Sequence, residues 1–591
     1  MSKFNVVKFV TGNVVPVSEQ HSRDDAGKEI GVAVRGEGEQ SDSEESTSQE
    51  AQAGVQGIEA MTSVWSRSHL IAAYVMIWCI YFLNTIEQAS TGALTPYVTS
   101  SFEEHSLTAT TSIMSSIIGG LVQLPLSKVL DIWGRPQGYA FMSFLLTMGL
   151  VMMAACNNVQ TYAAAQVFYW VGYNGLNYCI TIFVADTSSL KNRSLMFAYA
   201  SSPYIITVWV GGPIANWFLA HSTFRWAFGM WAILTPFITM PLWFLFMYNV
   251  RKAEKMGLMP KRESGRTTRA SIKYYAIEFD IAGILILAGG LALFLLPFSL
   301  YSYQSNGWKS PMIIAMLVVG FVLLICFPLY EKFIAPKTFI PFQLLTDRTV
   351  LGAYILAAVL FVEFYIWDSY FGSFLQVVDN LTITEASYVA NVYSIGSCFF
   401  AIIVGVLIRW TGRFKWLALY FGVPLTILGV GLMIKFRQPN ENVGFIVMCQ
   451  IFIAFSGGTL VICEQMAAMA AASHQYVAVV LAVEGMFSNI GGAIGSTVAA
   501  AIWTATFKPN LEMYLPDMPE ANITAIYGDL TTQLSYEWGS SERDGIIKAY
   551  GESQKVMLIA STAVLALAVI AVAVWRDIRV KDFKQTKGMV V

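Results

Sequence analysis

Fourteen runs of roughly twenty residues along this chain are apolar enough to fill the ~30 Å hydrocarbon core of a bilayer as helices, and that repetition constrains the fold most. They lie at about 70–92, 107–127, 139–156, 161–185, 195–219, 224–248, 279–300, 310–330, 349–376, 387–408, 416–435, 443–465, 477–506 and 556–575. Inside lipid every backbone N–H and C=O needs an internal partner, so runs of this length close as helices. The expected fold class is therefore an all-α membrane protein. Only 13% of residues are charged, against ~25% in soluble chains, which argues against a soluble multidomain enzyme. A net charge of −2 supplies no field for nucleic acid.

Charge placement sets the expected topology. With the N-terminus inside, the loop 249–278 is cytoplasmic and carries Arg251, Lys252, Lys255, Lys261, Arg262, Arg266, Arg269 and Lys273, as the positive-inside rule asks. Arg409, Arg413 and Lys415, and the tail bases from Arg576 to Lys587, fall on the same side. Two Asn-x-Thr sequons, at Asn380 and Asn522, fall outside and are candidate glycosylation sites. The long outer loop 508–555 is acidic.

The chain thus divides into a disordered cytoplasmic tail (1–66), a six-helix half (67–248), a basic loop (249–278), two inserted helices (279–330), a second six-helix half (331–575) and a cytoplasmic tail (576–591). The first 60 residues are too polar and Ser/Glu-rich to bury a core.

Several chemistries find no support. The seven cysteines sit in apolar runs without CxxC spacing and read as packing residues. The five histidines have no metal-ligand spacing, so no resident metal is expected. Gly491-Gly492-Ala493-Ile494-Gly495-Ser496 lacks the lysine of a phosphate loop, so the glycines are expected to serve close helix packing. No enzymatic activity and no cofactor are expected.

After the second run the chain reads Ser127-Lys128-Val129-Leu130-Asp131-Ile132-Trp133-Gly134-Arg135, and after the tenth Gly405-Val406-Leu407-Ile408-Arg409-Trp410-Thr411-Gly412-Arg413. The repeat relates span 2 to span 10. Two duplicated halves that rock about a midplane site are the physical basis of alternating access. These loops resemble the G-x-L-x-D-x-x-G-R signature of the major facilitator superfamily. Asp131, Gly134 and Arg135 match, Ser127 replaces a glycine, and in the second copy Arg409 replaces the aspartate. The resemblance implies two six-helix halves plus two inserted helices, fourteen transmembrane helices in all, with Asp131, Gly134, Arg135 and Arg413 as gating residues. Trp209-Val210-Gly211-Gly212-Pro213 in span 5 and Arg225-Trp226-Ala227-Phe228 opening span 6 resemble its fourteen-span proton-coupled branch. The glycine-proline element equally suits close packing or a kink.

Asn84-Thr85-Ile86-Glu87, Asp186-Thr187-Ser188-Ser189-Leu190-Lys191-Asn192-Arg193 and the run Tyr370 to Val378 together resemble the fungal siderophore-iron transporters, over about residues 65–580. That resemblance implies import of a ferric hydroxamate siderophore, such as triacetylfusarinine C or ferrichrome, by proton symport. The partners would be the chelate, protons and the bilayer, with iron carried only inside its chelate. The site of action would be a fungal plasma membrane or an endosomal or vesicle membrane, with both termini cytoplasmic.

Ionisable groups within apolar spans are costly and are functional candidates by default. Glu87, Asp186, Glu363, Asp368 and Glu484 are the expected proton-coupling residues, since a buried carboxyl favours its neutral form and can hold a proton in one access state. Glu464, at the end of span 12, belongs to the same set. Solvation near the interface, or pairing with Lys191, Arg193 or a neighbour, is the competing reading for Asp186, Asp368 and Glu464. A bulky neutral chelate suits amides and aromatic walls. Helical spacing groups Tyr81, Asn84 and Gln88 on span 1, Trp170, Asn174, Asn177 and Thr181 on span 4, and Trp367, Tyr370 and Phe374 with Glu363 on span 9. Two other functions share much of this plan: a proton-coupled drug or peptide exporter, and a non-transporting membrane receptor, which would need no coupling carboxylate.

Overall fold

A computed structural model describes residues 53–101, 107–258, 268–278, 280–297, 304, 306–336, 346–472 and 476–582. The polar segment before residue 53, Lys261, Arg262, Arg266, His474 and the tail beyond 582 lie outside the described residues. Among the described residues the regular structure is helical throughout.

Among the described residues, ten helices are long and apolar enough to cross a membrane. They are span 1 (Arg67–Ser101), span 3 (Arg135–Ala155), span 6 (Phe224–Lys255), span 8 (Pro311–Phe333), span 9 (Arg348–Asp368 and Phe371–Val377), span 10 (Ile383–Thr411), span 11 (Lys415–Leu417 through Val423–Phe436), span 12 (Val443–Ala470), span 13 (Val477–Tyr514) and span 14 (Ser541–Val564 and Ala566–Ala573). The other four expected crossings are also helices: span 2 (Leu107–Trp133), span 4 (Val159–Thr187), span 5 (Leu190–Ser201 and Tyr204–His221) and span 7 (Ile281–Leu295). Span 4 is marked less clearly by composition because Asn174 and Asn177 interrupt its apolar stretch.

Spans 1–6 pack as one half and spans 9–14 as the other. The halves meet along two seams, span 2 against span 13 and span 5 against span 10. Spans 7 and 8 pair with each other at the periphery, where span 8 buries only Ile313 and Gly320. Glycines set the closest approaches within the halves. A Cβ on Gly172 would stand 2.1 Å from the Leu146 backbone of span 3, and one on Gly491 would stand 2.3 Å from the Ala358 carbonyl of span 9. The glycine run of span 13 therefore serves helix packing against span 9, with Gly495 on Val362 and Tyr365. In span 5, Gly211 abuts Ala89 of span 1, while Gly212 faces open space.

Both ends of the described chain lie on one face of the bundle, here called the tail face; the opposite one is the far face. Ala53–Ser63, which composition places in a disordered tail, is a helix packed against spans 2 and 6. Its Ile58 and Met61 are buried, and Trp65 follows with its ring 5.6 Å from that of Phe183. Lys252 Nζ donates to the Val64 carbonyl at 2.8 Å and ties this segment to the end of span 6.

On the far face the acidic loop is a folded cap, built from the extended end of span 13, two short helices (Glu520–Gly528 and Leu530–Ser535) and the start of span 14. Arg543 is 2% exposed and donates to the carbonyls of Gln533 at 2.5 Å and Gln376 at 3.4 Å, which joins the cap to span 9. Tyr550 donates to Gln533 Oε1 at 2.7 Å.

Candidate functional site

The first loop repeat builds a buried ion triad. Gly134, at φ 105°, turns the chain between spans 2 and 3, a conformation that favours glycine. The turn places Arg135 where Nη1 meets Asp131 at 2.8 Å and Nε meets Asp186 at 3.0 Å. All three are at most 4% exposed. Removing Arg135 from this buried set would cost about 3–5 kcal/mol, because two carboxylates lose their counter-charge. Asp186 is thereby paired with a neighbour, Arg135, and buried Arg193 is within electrostatic range of it as well. The triad lies wholly within the first half. It braces span 4 against the loop between spans 2 and 3 and does not bridge the halves.

The second repeat does something else. Arg413 pairs at 3.3 Å with Asp577 in the tail after span 14, and the Gly412 carbonyl accepts from Val580 N at 2.8 Å. With Arg409 in place of an aspartate, this copy clasps the C-terminal segment.

Contacts that bridge the halves near the tail face come from other residues. Tyr178 of span 4 donates to the Ala478 carbonyl of span 13. Arg193, fully buried, reaches Met469 Sδ of span 12 at 3.8 Å. Gly405 of span 10 packs on the Leu195 backbone of span 5 so closely that a Cβ would lie 2.9 Å from the Leu195 Cα. The bundle is closed at this face.

Deeper in the first half, the polar residues of spans 1, 4 and 5 converge. Tyr173 donates to Gln88 at 3.1 Å and lies 3.4 Å from the Tyr204 hydroxyl, and Thr85 bonds Thr207 at 2.8 Å. Trp170 packs edge-on against Tyr169 and Tyr173, at 5.2 and 5.7 Å. Tyr81 is half-buried beside Thr181 and Tyr204. Asn84 Nδ2 and Asn177 Oδ1 are buried without a hydrogen-bond partner in the protein, a costly arrangement that a ligand or water would relieve. Asn174, half-buried, donates to the Trp170 carbonyl at 3.0 Å and sits against Gly119 of span 2, with Asn489 of span 13 across the seam. Glu87 is fully buried beneath this group, accepts from Thr91 at 3.3 Å and has Tyr169 as a neighbour.

The second half holds a cavity of about 170 Å³ lined by Leu360, Phe361, Glu363, Phe364, Tyr393, Thr426, Ile453, Gly457 and Val461. Glu363 is its only carboxylate, 3% exposed, with Oε1 unpartnered. The space suits a few waters, not a ligand of drug size or larger. A five-residue π segment, Ala418–Gly422, precedes Thr426 in span 11, and such bulges concentrate at functional sites. Glu484 is 5% exposed and lies near Glu464 of span 12, 1% exposed.

The stripe expected on span 9 does not form as one face. The helix breaks after Asp368 and restarts at Phe371, so a single helical phase does not connect Glu363 to Phe374. Trp367 and Phe374 are buried at the break, Tyr370 stacks on Trp503 at 4.2 Å, and Asp368 is half-buried beside Arg437. Sequence reasoning missed Tyr173, Tyr204, Tyr393 and Arg437. Tyr173 was findable, since it falls one turn from both Tyr169 and Asn177; Arg437 reads as a loop residue. Asn380 and Asn522 are both exposed on the far face.

Residues 77–496 match the model of the Major Facilitator Superfamily. The chain is 67% identical to the "MFS siderochrome iron transporter 1" of Ajellomyces capsulatus over 93% of its length and 94% of that protein. It is 46% identical to the "Siderophore iron transporter mirB" of Emericella nidulans, covering 97% and 94% of the two chains. Among solved structures it resembles the human organic anion transporter MFSD10 (TETRAN), at 13% identity and TM-score 0.50, covering 83% of this chain and 98% of that one. The peptide transporter POT in complex with sulfate is similar at 14% identity and TM-score 0.51, covering 88% and 99%. These two likenesses bear on the fold alone.

Proposed function

We propose that this chain, which belongs to the Major Facilitator Superfamily and to its siderochrome iron transporters, imports a ferric hydroxamate siderophore by proton symport, with the far face outside. As a member of that superfamily it is a transporter and not an enzyme. The observation that carries the substrate class is the 67% identity across nearly the whole length of a siderochrome iron transporter.

The geometry supports this reading in a division of labour between the halves. The chelate would sit at the seam against spans 1, 4 and 5, where Asn84 and Asn177 offer unpaired amide atoms and Trp170, Tyr173 and Tyr81 offer apolar walls. Iron stays in the hydroxamate cage, so the protein recognises the chelate's outer surface: Asn84 Nδ2 would donate to a carbonyl oxygen, Asn177 Oδ1 would accept from an amide N–H, and the rings would pack on carbon. The proton would ride on Glu363, whose carboxylate is isolated in a nearly apolar cavity too small for the chelate. Neutralising Glu363 removes the cost of a buried charge and frees the second half to rock against the first. Glu87 is the equivalent buried carboxyl of the first half and the second proton candidate.

The test is uptake of radio-iron on ferric triacetylfusarinine C, ferrichrome and other chelates, by yeast lacking its own siderophore importers and expressing this chain. Uptake of one chelate that collapses with a protonophore supports the reading. Absent uptake by correctly placed protein rejects it and favours the exporter.

A further inference from the structure

The break in span 9 lies five residues beyond Glu363, toward the far face. Its buried carbonyl end is held from another helix: Arg437, at the end of span 11, donates Nη1 to the Trp367 carbonyl at 2.7 Å. A cation at a helix C-terminus is favourable. The guanidinium is 0% exposed and lies over the rings of Phe371 and Phe374, at 4.4 and 5.2 Å, yet its Nε and Nη2 have no hydrogen-bond partner. Two carboxylates, Asp368 and Asp379, are within electrostatic range of it. Neither bonds those two nitrogens, and Asp379 Oδ2 is itself buried without a partner.

A fully buried arginine with two idle donors beside two carboxylates is an arrangement poised for a second set of contacts. Leaving both charges unmatched is costly in this environment. Asp379 lies outside the spans, and burial pushes its carboxyl up to about 7, with Arg437 opposing the rise. The other charged or titratable groups on the surrounding elements include Tyr365 beside Asp368, Arg543 on the Gln376 carbonyl, Glu385 capping Thr382, Tyr370 and Tyr550 under the cap, Lys435 over Phe436, Glu441 on the turn after Arg437, and Glu552 next to Gly551, whose carbonyl accepts from Gln438. Inward, Tyr393 lines the Glu363 cavity and is within electrostatic range of Asp368, Glu363 and Glu464.

We propose that Asp379, Asp368 and Arg437 form the proton-entry site of the second half, separate from the chelate seam. A proton leaves water at the far face, adds to Asp379, passes to Asp368 and then to Glu363, with Tyr393 leading on to Glu464 and Glu484 at the tail face. Arg437 is a positioning residue: it pins the broken helix through Trp367 while the carboxylates are neutral, and turns its idle donors to them when they ionise. This rests on the proton-symport reading and adds the residues by which the proton arrives.

The experiment is the pH profile of initial ferric triacetylfusarinine C uptake between external pH 5 and 8 in the same yeast, for the wild type, Asp379→Asn, Arg437→Lys and Arg437→Gln, with KM measured for each. An acid titrating near 7 makes the wild-type rate fall about tenfold between pH 6 and 8. Asp379→Asn should flatten that fall while leaving the chelate KM within about twofold, since the site is apart from the seam. Arg437→Gln should move the midpoint to higher pH, and Arg437→Lys, which keeps the charge, should restore it. A wild-type profile in Asp379→Asn overturns the proposal while symport stands, as does a lowered rate of unchanged pH profile in every variant, the sign of a structural role only. A wild type indifferent to both pH and protonophore removes the symport reading, and this proposal with it.

Discussion

Replacing Gly405 by alanine should open the tail face. The added Cβ would stand 2.9 Å from the Leu195 Cα, 3.1 Å from its N and 3.3 Å from the Ser194 carbonyl carbon. These are backbone atoms of the opposite half, so no side chain can rotate away. Overpacking of this kind costs about 1–3 kcal/mol. The cost applies only while spans 5 and 10 touch, so it falls entirely on the closed state and shifts the equilibrium between states by roughly 5- to 150-fold. A cysteine placed at Ala478, buried here against Tyr178, reports the change as its rate of modification by a thiol reagent applied from the tail face. Gly405→Ala should raise that rate by the same factor, and Gly212→Ala, whose Cβ meets nothing within 4 Å, should not. An unaltered rate in Gly405→Ala, or an equal rise in both, would refute the wedge argument.

Glu363→Gln should slow proton-driven uptake by tenfold or more while chelate binding to purified protein stays within about twofold, read by rate and by affinity on the same preparation. Asn177→Leu, which fills a polar position with carbon, should show the converse, weakening binding by roughly one lost hydrogen bond, about 1 kcal/mol or some fivefold. Asp186→Asn leaves two buried arginines, Arg135 and Arg193, with Asp131 as the remaining carboxylate and should lower the melting temperature markedly, whereas Asp577→Asn, which removes the partner of a 39%-exposed arginine, should change stability by less than about 1 kcal/mol. Thermal unfolding of the two variants in one detergent tests that contrast; similar losses would contradict it.

Helix positions were readable because lipid solvation acts on composition alone, and the amides of span 4 because they interrupt it. What hydropathy did not show depends on distant partners. Span 9 is apolar across the break at Asp368, and nothing local announces that Arg437 of span 11 caps its first piece. The stripe from Glu363 to Phe374 assumed one continuous helix and failed for that reason. The loop repeat pointed to charged residues at the tail face but not to how they pair: Asp131 and Arg135 brace a single half, and Arg413 found its carboxylate in the tail. The helix before span 1 escaped notice because its flanks are polar, although Ile58, Met61 and Trp65 recur at helical spacing.

The most direct test of coupled import is a simultaneous record of chelate and proton in vesicles reconstituted with purified protein, loaded with a pH dye and given ferric triacetylfusarinine C without any imposed gradient. Proton-symport import predicts that the vesicle interior acidifies as the chelate enters, with a fixed ratio of protons to iron that Glu363→Gln abolishes. Chelate entry with no change in internal pH, or entry accompanied by alkalinisation, would contradict it.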